Sequence, residues 1–310
     1  MAPASNDIPA LILGTAMWGW TMDAHICFSV LDTFYEAGFR QVDAATNYPI
    51  NRQPADFRLS ERILCDWIRT HGVTDLRVMM KVGSVDNMRS PDNNLRKSFL
   101  LMCLDDYREL LGPNLDMLMI HWDNRDDQSE IAQTLEALAL VRAAGLKVGL
   151  SGIRFPEVYA KANETLQLNF YIQIKHNLLQ SDYNKYKPFH GKRRFLAYGI
   201  NAGGVKLDAA EYAPKSSLTV RGGDTSNQSP LIAGLINWLD SQQAKYVSDF
   251  NQCSMAYAYH SKDIAGLLIG PSRVDQLRDT IDFYKKLQQT DYQHIYDQLV
   301  ELKKQYAGAQ

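Results

Sequence analysis

The strongest constraint on this chain is an alternation: short apolar runs recur eight times, with helix-length segments between them. LILG (11–14), RQVDA (40–44), LRVMMKV (76–82), LDMLMIHW (115–122), KVGLS (147–151), NFYIQI (169–174), RFLAYG (194–199) and AGLLIG (265–270) read as strands. Between the first two, Ile26, Val30, Leu31, Phe34 and Ala37 fall at helical spacing and Gly38 stops the run. Helices are likewise predicted over 60–72, with Ser60 as cap and Gly72 as terminator, and over 93–112, 129–145, 155–164, 183–190, 230–247 and 272–289. A further helix near 294–307 is appended within 291–310; it either covers the barrel floor or makes a dimer contact.

Strict β and α alternation with short apolar strands predicts a parallel sheet covered by helices. A closed barrel and an open doubly wound sheet both satisfy it. Eight units in 310 residues, and no GxGxxG after the first strand, favour the barrel. The expected fold is therefore α/β, a single-domain (β/α)8 TIM barrel over 1–310 with extended βα loops. The irregular stretch 199–229 far exceeds the roughly 12–15 residues beyond which a structureless loop is suspect, so it is expected to be a functional lid.

Composition narrows the class of partner. Hydrophobic residues at 45 % suffice for a large core, and a net charge of −2 offers no basic footprint for nucleic acid or an anionic membrane. A small molecule is the expected partner. Cys27, Cys65, Cys103 and Cys253 are scattered without metal-ligand spacing, which points to reduced packing residues and no metal. No apolar run approaches the ~20 residues a spanning helix needs, and the first ten residues lack a signal-peptide pattern. A cytoplasmic protein is expected.

Barrel enzymes keep their chemistry at the carboxyl ends of the strands. At or just beyond those ends stand Asp43, Lys81, His121, Ser151, Gln173, Tyr198 and Gly270, and Tyr48 follows Asp43 by five positions. Each alone has a plainer reading: a cap, a strand meeting water, a buried imidazole, a loop anchor. Together, Asp, Tyr, Lys and His on one rim are hard to explain by solvation. A tyrosine with a pKa near 10 is a sluggish acid at neutral pH. A lysine ammonium about 4 Å away is worth roughly 4 kcal/mol at an effective dielectric of 20, or about three pKa units. Lys81 is thus expected to bring Tyr48 into range, Asp43 to keep Lys81 charged, and His121 to aim a substrate oxygen at the Tyr48 hydroxyl. The set suits protonating an oxygen that gains electrons, and a bound hydride donor has to supply them.

These residues, with GTAMWG (14–19), VDAATNY (42–48), SE (60–61), MKVG (80–83), LMIHW (118–122), AGLKVGLSG (144–152) and LIGPSRVDQL (268–277), resemble the aldo-keto reductase superfamily over roughly residues 8–284. The resemblance implies reversible NAD(P)-linked reduction of an aldehyde or ketone, including sugar-type carbonyls, with Asp43, Tyr48, Lys81 and His121 as the catalytic tetrad. It implies that Ser151 and Gln173 hold the nicotinamide carboxamide, that Tyr198 stacks on its ring, and that Gly203 and Gly204 let the 199–229 loop approach the pyrophosphate. Gly270, Ser272, Arg273 and Gln276 are implied at the adenosine end, with Ser272 also the N-cap of its helix. Arg273 and Lys206 favour NADPH, with NADH the alternative. Trp18, Trp20, Trp122 and Tyr183 are expected to line an aromatic mouth. The sequence departs from the family at Gly152, where many members carry an amide side chain, and at AYGINAGG, which lacks the usual proline.

Two other classes fit parts of the pattern. A Schiff-base aldolase would use Lys81, although a neighbouring Asp43 opposes the neutral amine that chemistry needs. A nucleotide-binding regulatory subunit would keep the cofactor site without turnover.

Overall fold

The computed structural model describes residues 8–306 apart from 213–215, 224, 227–228 and 242–245. Eight strands, β1 (Ala10–Gly14), β2 (Gln41–Ala45), β3 (Arg77–Val82), β4 (Leu115–Asp123), β5 (Lys147–Ile153), β6 (Tyr171–Lys175), β7 (Phe195–Tyr198) and β8 (Ile264–Ile269), pair in sequence order. All pairs are parallel, and β1 pairs with β8 to close the barrel. The helices are α1 (Ala24–Glu36), α2 (Leu59–His71), α3 (Lys97–Leu111), α4 (Gln128–Ala143), α5 (Pro156–Ala162), α6 (Ser217–Val220), α7 (Pro230–Asp240), α8 (Phe250–His260), α9 (Val274–Gln289) and α10 (Gln293–Tyr306).

Strand side chains alternate between two cores. One set faces the helices and joins the large outer core with Val42, Met80, Leu118, Leu150 and Ile172. The other faces inward, where Ile12, Met79, Met117, Met119, Leu196 and Leu268 form a separate cluster with Tyr171 and Tyr198 packed on it. Gly149 and Gly266 make room in this narrow interior. A Cβ at Gly149 would lie 2.6 Å from the Met119 methyl, and one at Gly266 2.6 Å from Ile12. With a side-chain period of two, Lys81 shares the inward face of Met79, His121 that of Met119, Ser151 that of Gly149, Gln173 that of Tyr171 and Tyr198 that of Leu196. The inward parity that fills the barrel thus also builds its carboxyl rim.

Several boundaries differ from expectation for local reasons. Ser60 does not cap α2. Arg58 does so in a left-handed conformation, while the buried Ser60 hydroxyl donates to the Thr15 carbonyl at 2.9 Å. Nor does Ser272 cap α9: Arg273 stands at that position, and the Ser272 amide and hydroxyl both donate to Gln276 Oε1. The segment before α3 stays extended because the Asn94 amide bonds the Gly83 carbonyl and Asn93 Nδ2 donates to the Trp122 carbonyl. The expected 230–247 helix ends at Asp240, with 242–245 outside the described residues, and α8 follows where no helix was expected. Residues 183–190 form a 3-10 helix over Tyr183–Phe189, with Pro188 inside it denying a donor to a longer α-helix. The 199–229 stretch, of which 213–215, 224 and 227–228 are not described, holds the short α6 and a 3-10 turn at Ala209–Glu211. The appended α10 packs against α7 and α8 in the outer layer, and its last expected residues, 307–310, lie outside the described ones.

Candidate active site

Asp43, Lys81 and His121 come from the adjacent strands β2, β3 and β4, and Tyr48 from the turn after β2; all four are buried. Lys81 Nζ donates to Asp43 Oδ2 at 2.5 Å and lies 4.9 Å from the centre of the Tyr48 ring. Tyr48 meets His121 edge to face, with ring centres 5.7 Å apart. The four residues singled out from the sequence therefore converge.

Two hydrogen-bonded braces hold them from behind. The Thr15 amide and hydroxyl both donate to the Asp43 carbonyl, Ser60 donates to the Thr15 carbonyl, and the Ser60 amide bonds the Tyr48 carbonyl at 3.2 Å. On the other side the buried Glu61 accepts from Arg58 and from the Tyr107 hydroxyl at 2.6 Å. The Thr46 hydroxyl bonds that same phenol oxygen, and the Thr46 amide donates to the Lys81 carbonyl at 3.0 Å. Both braces begin in the SE pair at residues 60–61.

The electrostatics add a cation to the expected set. Burial, and next the Asp43 charge, push the Tyr48 phenol far above its ordinary value, and the cation that opposes this is Arg221. Lys81, bonded to Asp43, lies over that same ring. Burial lowers the Lys81 ammonium, with Asp43 pulling the other way. Burial, and next Lys81, hold the His121 imidazole well below its usual range, so it is neutral at pH 7. His121 Nδ1 is buried without a partner among the described residues.

The nicotinamide-end candidates are wired into the same unit. Ser151 donates to Gln173 Oε1 at 3.0 Å, and Gln173 Nε2 donates to Asp43 Oδ1 at 2.7 Å. Asp43 thus has each oxygen engaged, one by Lys81 and one by Gln173. Tyr198 stands half-buried on the next inward position round the rim. Gly203 and Gly204 occupy the turn after β7 with φ of 85° and 97°, and neither Gly204 nor Gly270 has any atom within 4 Å of where a Cβ would stand. Gly270 lies just before the start of α9, where Ser272 and Gln276 bond each other and Arg273 makes an exposed ion pair with Asp275. An exposed pair of this kind holds its arginine weakly, by about 0–1 kcal/mol, so it is readily exchanged for a phosphate. The open space at Gly204 and Gly270 and the hydrogen-bonding groups of Ser151, Gln173, Ser272 and Gln276 suit a bound nucleotide.

Two of the expected mouth residues lie elsewhere. Trp18 is 1 % exposed and belongs to the outer core. Tyr183 turns away: its ring stacks on His190 at 3.8 Å and its hydroxyl donates to Asp263, at the amino end of β8. Trp20 and Trp122 remain at the rim, Trp20 under the Arg89 guanidinium and Trp122 beside His121 with ring centres 4.6 Å apart.

Trp122 also accounts for the departure at Gly152. Trp122 takes φ 62°, and a Cβ at Gly152 would lie 2.3 Å from its Cδ1. The indole fills the volume a side chain at 152 would need. Sequence reasoning missed Arg221, Arg89 and Met17 at the mouth, since none is signalled by strand parity. Two surface clefts, of about 360 and 240 Å³, lie at the amino ends of β5–β6 and β1–β3, away from the tetrad.

A closed barrel with a buried Asp, Tyr, Lys and His cluster at its carboxyl rim defines an enzyme of the (β/α)8 class. The chain belongs to the aldo/keto reductase family, whose model matches residues 10–300. A Saccharomyces cerevisiae protein named as an aryl-alcohol dehydrogenase is 29 % identical over 53 % of this chain and 82 % of its own length. The Escherichia coli protein tas is 24 % identical over 90 % of both chains. The holo form of a Bacillus halodurans aldo-keto reductase superposes with a TM-score of 0.70 at 16 % identity, over 95 % of this chain and 92 % of that one, and so shares its fold. The chain is accordingly an oxidoreductase that reduces carbonyl groups with a nicotinamide cofactor, and its substrates are small molecules. Among the described residues, no helix is long and apolar enough to cross a membrane.

Proposed function

We propose that this protein reduces an aldehyde or ketone with NADPH, using Tyr48 as proton donor, and that its preferred substrates carry a flat aromatic group beside the carbonyl. The observation that carries the reading is the convergence of Tyr48, Lys81, Asp43 and His121. A bound nicotinamide supplies the hydride. Tyr48 stays protonated in the free protein because burial and Asp43 disfavour its phenolate. As negative charge develops on the substrate oxygen, the Tyr48 hydroxyl transfers its proton there, and the nearby Lys81 ammonium stabilises the phenolate left behind. Neutral His121, whose Nδ1 has no partner among the described residues, presents Nε2–H as the second donor to the same oxygen.

Ser151 and Gln173 present an amide and a hydroxyl for the carboxamide, and Tyr198 a face for the ring. The start of the 199–229 segment, at Gly203 and Gly204, runs along the phosphates, while Arg221 near its far end reaches Met17 instead. Arg273 at the start of α9, with Lys206 second, supports NADPH over NADH. Trp20 and Trp122 at the rim, and the name of the yeast relative, support an aromatic carbonyl. Four free cysteines, three of them buried, suit the cytoplasm. The Schiff-base alternative is disfavoured by the geometry, since Lys81 is fully buried and bonded to Asp43.

The test is fluorescence titration with NADPH and NADH on the wild type and on Tyr48→Phe, beside turnover of an aromatic aldehyde panel. Saturable binding should survive the substitution while kcat falls by about 10²–10⁴-fold, the usual worth of a general acid. Failure of both nucleotides to bind refutes the reading, as does a Tyr48→Phe enzyme of undiminished kcat.

A further inference from the structure

The mouth holds two arginines that the proton chemistry does not use. Arg221 is an exposed residue, yet its guanidinium Nη2 donates to the sulfur of the buried Met17 at 3.0 Å. A guanidinium carries five donors, and a thioether is a weak acceptor. No carboxylate among the described residues pairs with it. The nearest carboxylate in the catalytic cluster, Asp43, has both oxygens taken.

Arg89 approaches from the opposite rim. Its guanidinium lies 5.5 Å over the Trp20 ring and Nε donates to the Ile50 carbonyl at 3.2 Å, again without an ion pair among the described residues. Met17 and Trp20 belong to one turn, in which the Trp20 amide bonds the Met17 carbonyl at 3.1 Å. Two guanidinium groups from separate loops therefore meet one short segment, and the Arg221 guanidinium feels both the Tyr48 phenol and the Arg89 charge. An otherwise slightly acidic protein has a local positive rim over its reacting centre.

We propose that Arg221 and Arg89 bind an anionic group on the substrate, so that the enzyme selects carbonyl compounds bearing a carboxylate remote from the carbonyl that is reduced. The inference rests on the carbonyl-reductase reading. The carboxylate accepts from Arg221 in place of the Met17 sulfur, and the flat body of the substrate lies along Trp20 toward Tyr48. Arg221 also opposes the upward push on the Tyr48 phenol. Comparing two aldehydes on the same variant separates that effect from anion binding.

The probes are 4-carboxybenzaldehyde and its neutral methyl ester. Wild-type kcat/KM should favour the carboxylate by about tenfold, a preference that shrinks with added salt because the rim is exposed. In Arg221→Gln the carboxylate-to-ester ratio should fall by about tenfold, whatever happens to both rates through Tyr48, and Arg89→Gln should lower it less. The affinity for NADPH, read by fluorescence, should be unchanged. An unchanged ratio, or a defect confined to NADPH affinity, overturns the proposal, the latter by assigning Arg221 to the nucleotide phosphates. Calorimetry of 4-carboxybenzaldehyde on the free protein gives a second readout: Arg221→Gln should weaken binding about tenfold. If the wild type reduces neither aldehyde, the carbonyl-reductase reading fails, and the calorimetric comparison alone decides the anion site.

Discussion

Removing the carboxylate of Asp43 tests the wiring of the site through stability alone. Lys81 is fully buried, and its ammonium is bonded to Asp43 at 2.5 Å. In Asp43→Asn the partner charge disappears while shape is kept. At an effective dielectric of 20 an opposite charge within about 4 Å is worth roughly 4 kcal/mol, so the already lowered Lys81 loses its proton near neutral pH. Deprotonation sets a ceiling: bringing an amine from 10.5 to 7 costs about 5 kcal/mol at 1.36 kcal/mol per pKa unit. The expected loss is about 3–5 kcal/mol, the usual penalty for orphaning one member of a buried pair. Lys81→Met should cost a similar amount, because it leaves Asp43 with Gln173 alone. The double variant removes both charges and should cost far less than the sum, with a coupling of about 2–3 kcal/mol. Urea midpoints at constant m-value measure this cycle. Additive single losses would refute the argument, since they would mean that neither ion depends on the other.

Three further outcomes follow from the same geometry. Gly152→Ala places a methyl 2.3 Å from the Trp122 indole at φ 69°, and should destabilise by about 2–3 kcal/mol and lower kcat by tilting His121. The Gly152→Ala, Trp122→Ala double variant should regain part of the stability in a melting assay, and no recovery would show that the strain is in the backbone. His176, buried between Ser181 and Ser261, is pushed down to about 4 by burial, so the folded state holds it neutral while the unfolded chain protonates it below about 6.5. Stability present above that pH is therefore lost as the pH falls toward 4, by about 2 kcal/mol at pH 5, with His121 adding in the same direction. His176→Gln should flatten the melting temperature between pH 7 and 5. Finally, borohydride with a carbonyl substrate should leave Lys81 unmodified by mass spectrometry; a trapped adduct would restore the Schiff-base mechanism.

Much of this was legible because the fold and the catalytic rim share one cause. A strand with Met79 inward puts Lys81 inward two residues later, and Met119 does the same for His121. Closure in sequence order then makes β2, β3 and β4 neighbours, so alternation along the chain becomes convergence in space. What escaped has physical reasons too. In α8, Phe250, Cys253, Ser254, Met255, Ala256, Tyr257, Ala258 and Tyr259 are all buried, so no polar face gives it a helical period. Ser60 looked like a cap because the tertiary bond from its hydroxyl to Thr15 leaves no local trace. Tyr183 looked like a mouth residue because an aromatic after a strand gives no sign of which side of the barrel its loop takes. Arg221 and Arg89 lie in loops, where neither period applies.

The division of labour between strands and loops bears on how substrate choice can change. Asp43 and Lys81 stand on inward strand positions, bonded to each other and braced at their carbonyls by Thr15, Ser60, Thr46, Tyr107 and Glu61. Met17 and Trp20, Arg89 and Arg221 lie on three different loops and Trp122 next to the last residue of β4, and the two arginines have only weak or backbone partners among the described residues. Substitution there alters what fits above Tyr48 while leaving the Asp43–Lys81 pair and its braces intact. A lost arginine should therefore move the substrate spectrum with little loss of stability, whereas a lost brace should move stability and kcat together. If Glu61→Gln, which weakens the bond to Tyr107 behind the Lys81 carbonyl, left both unchanged, the separation of a rigid catalytic rim from an adjustable mouth would not hold.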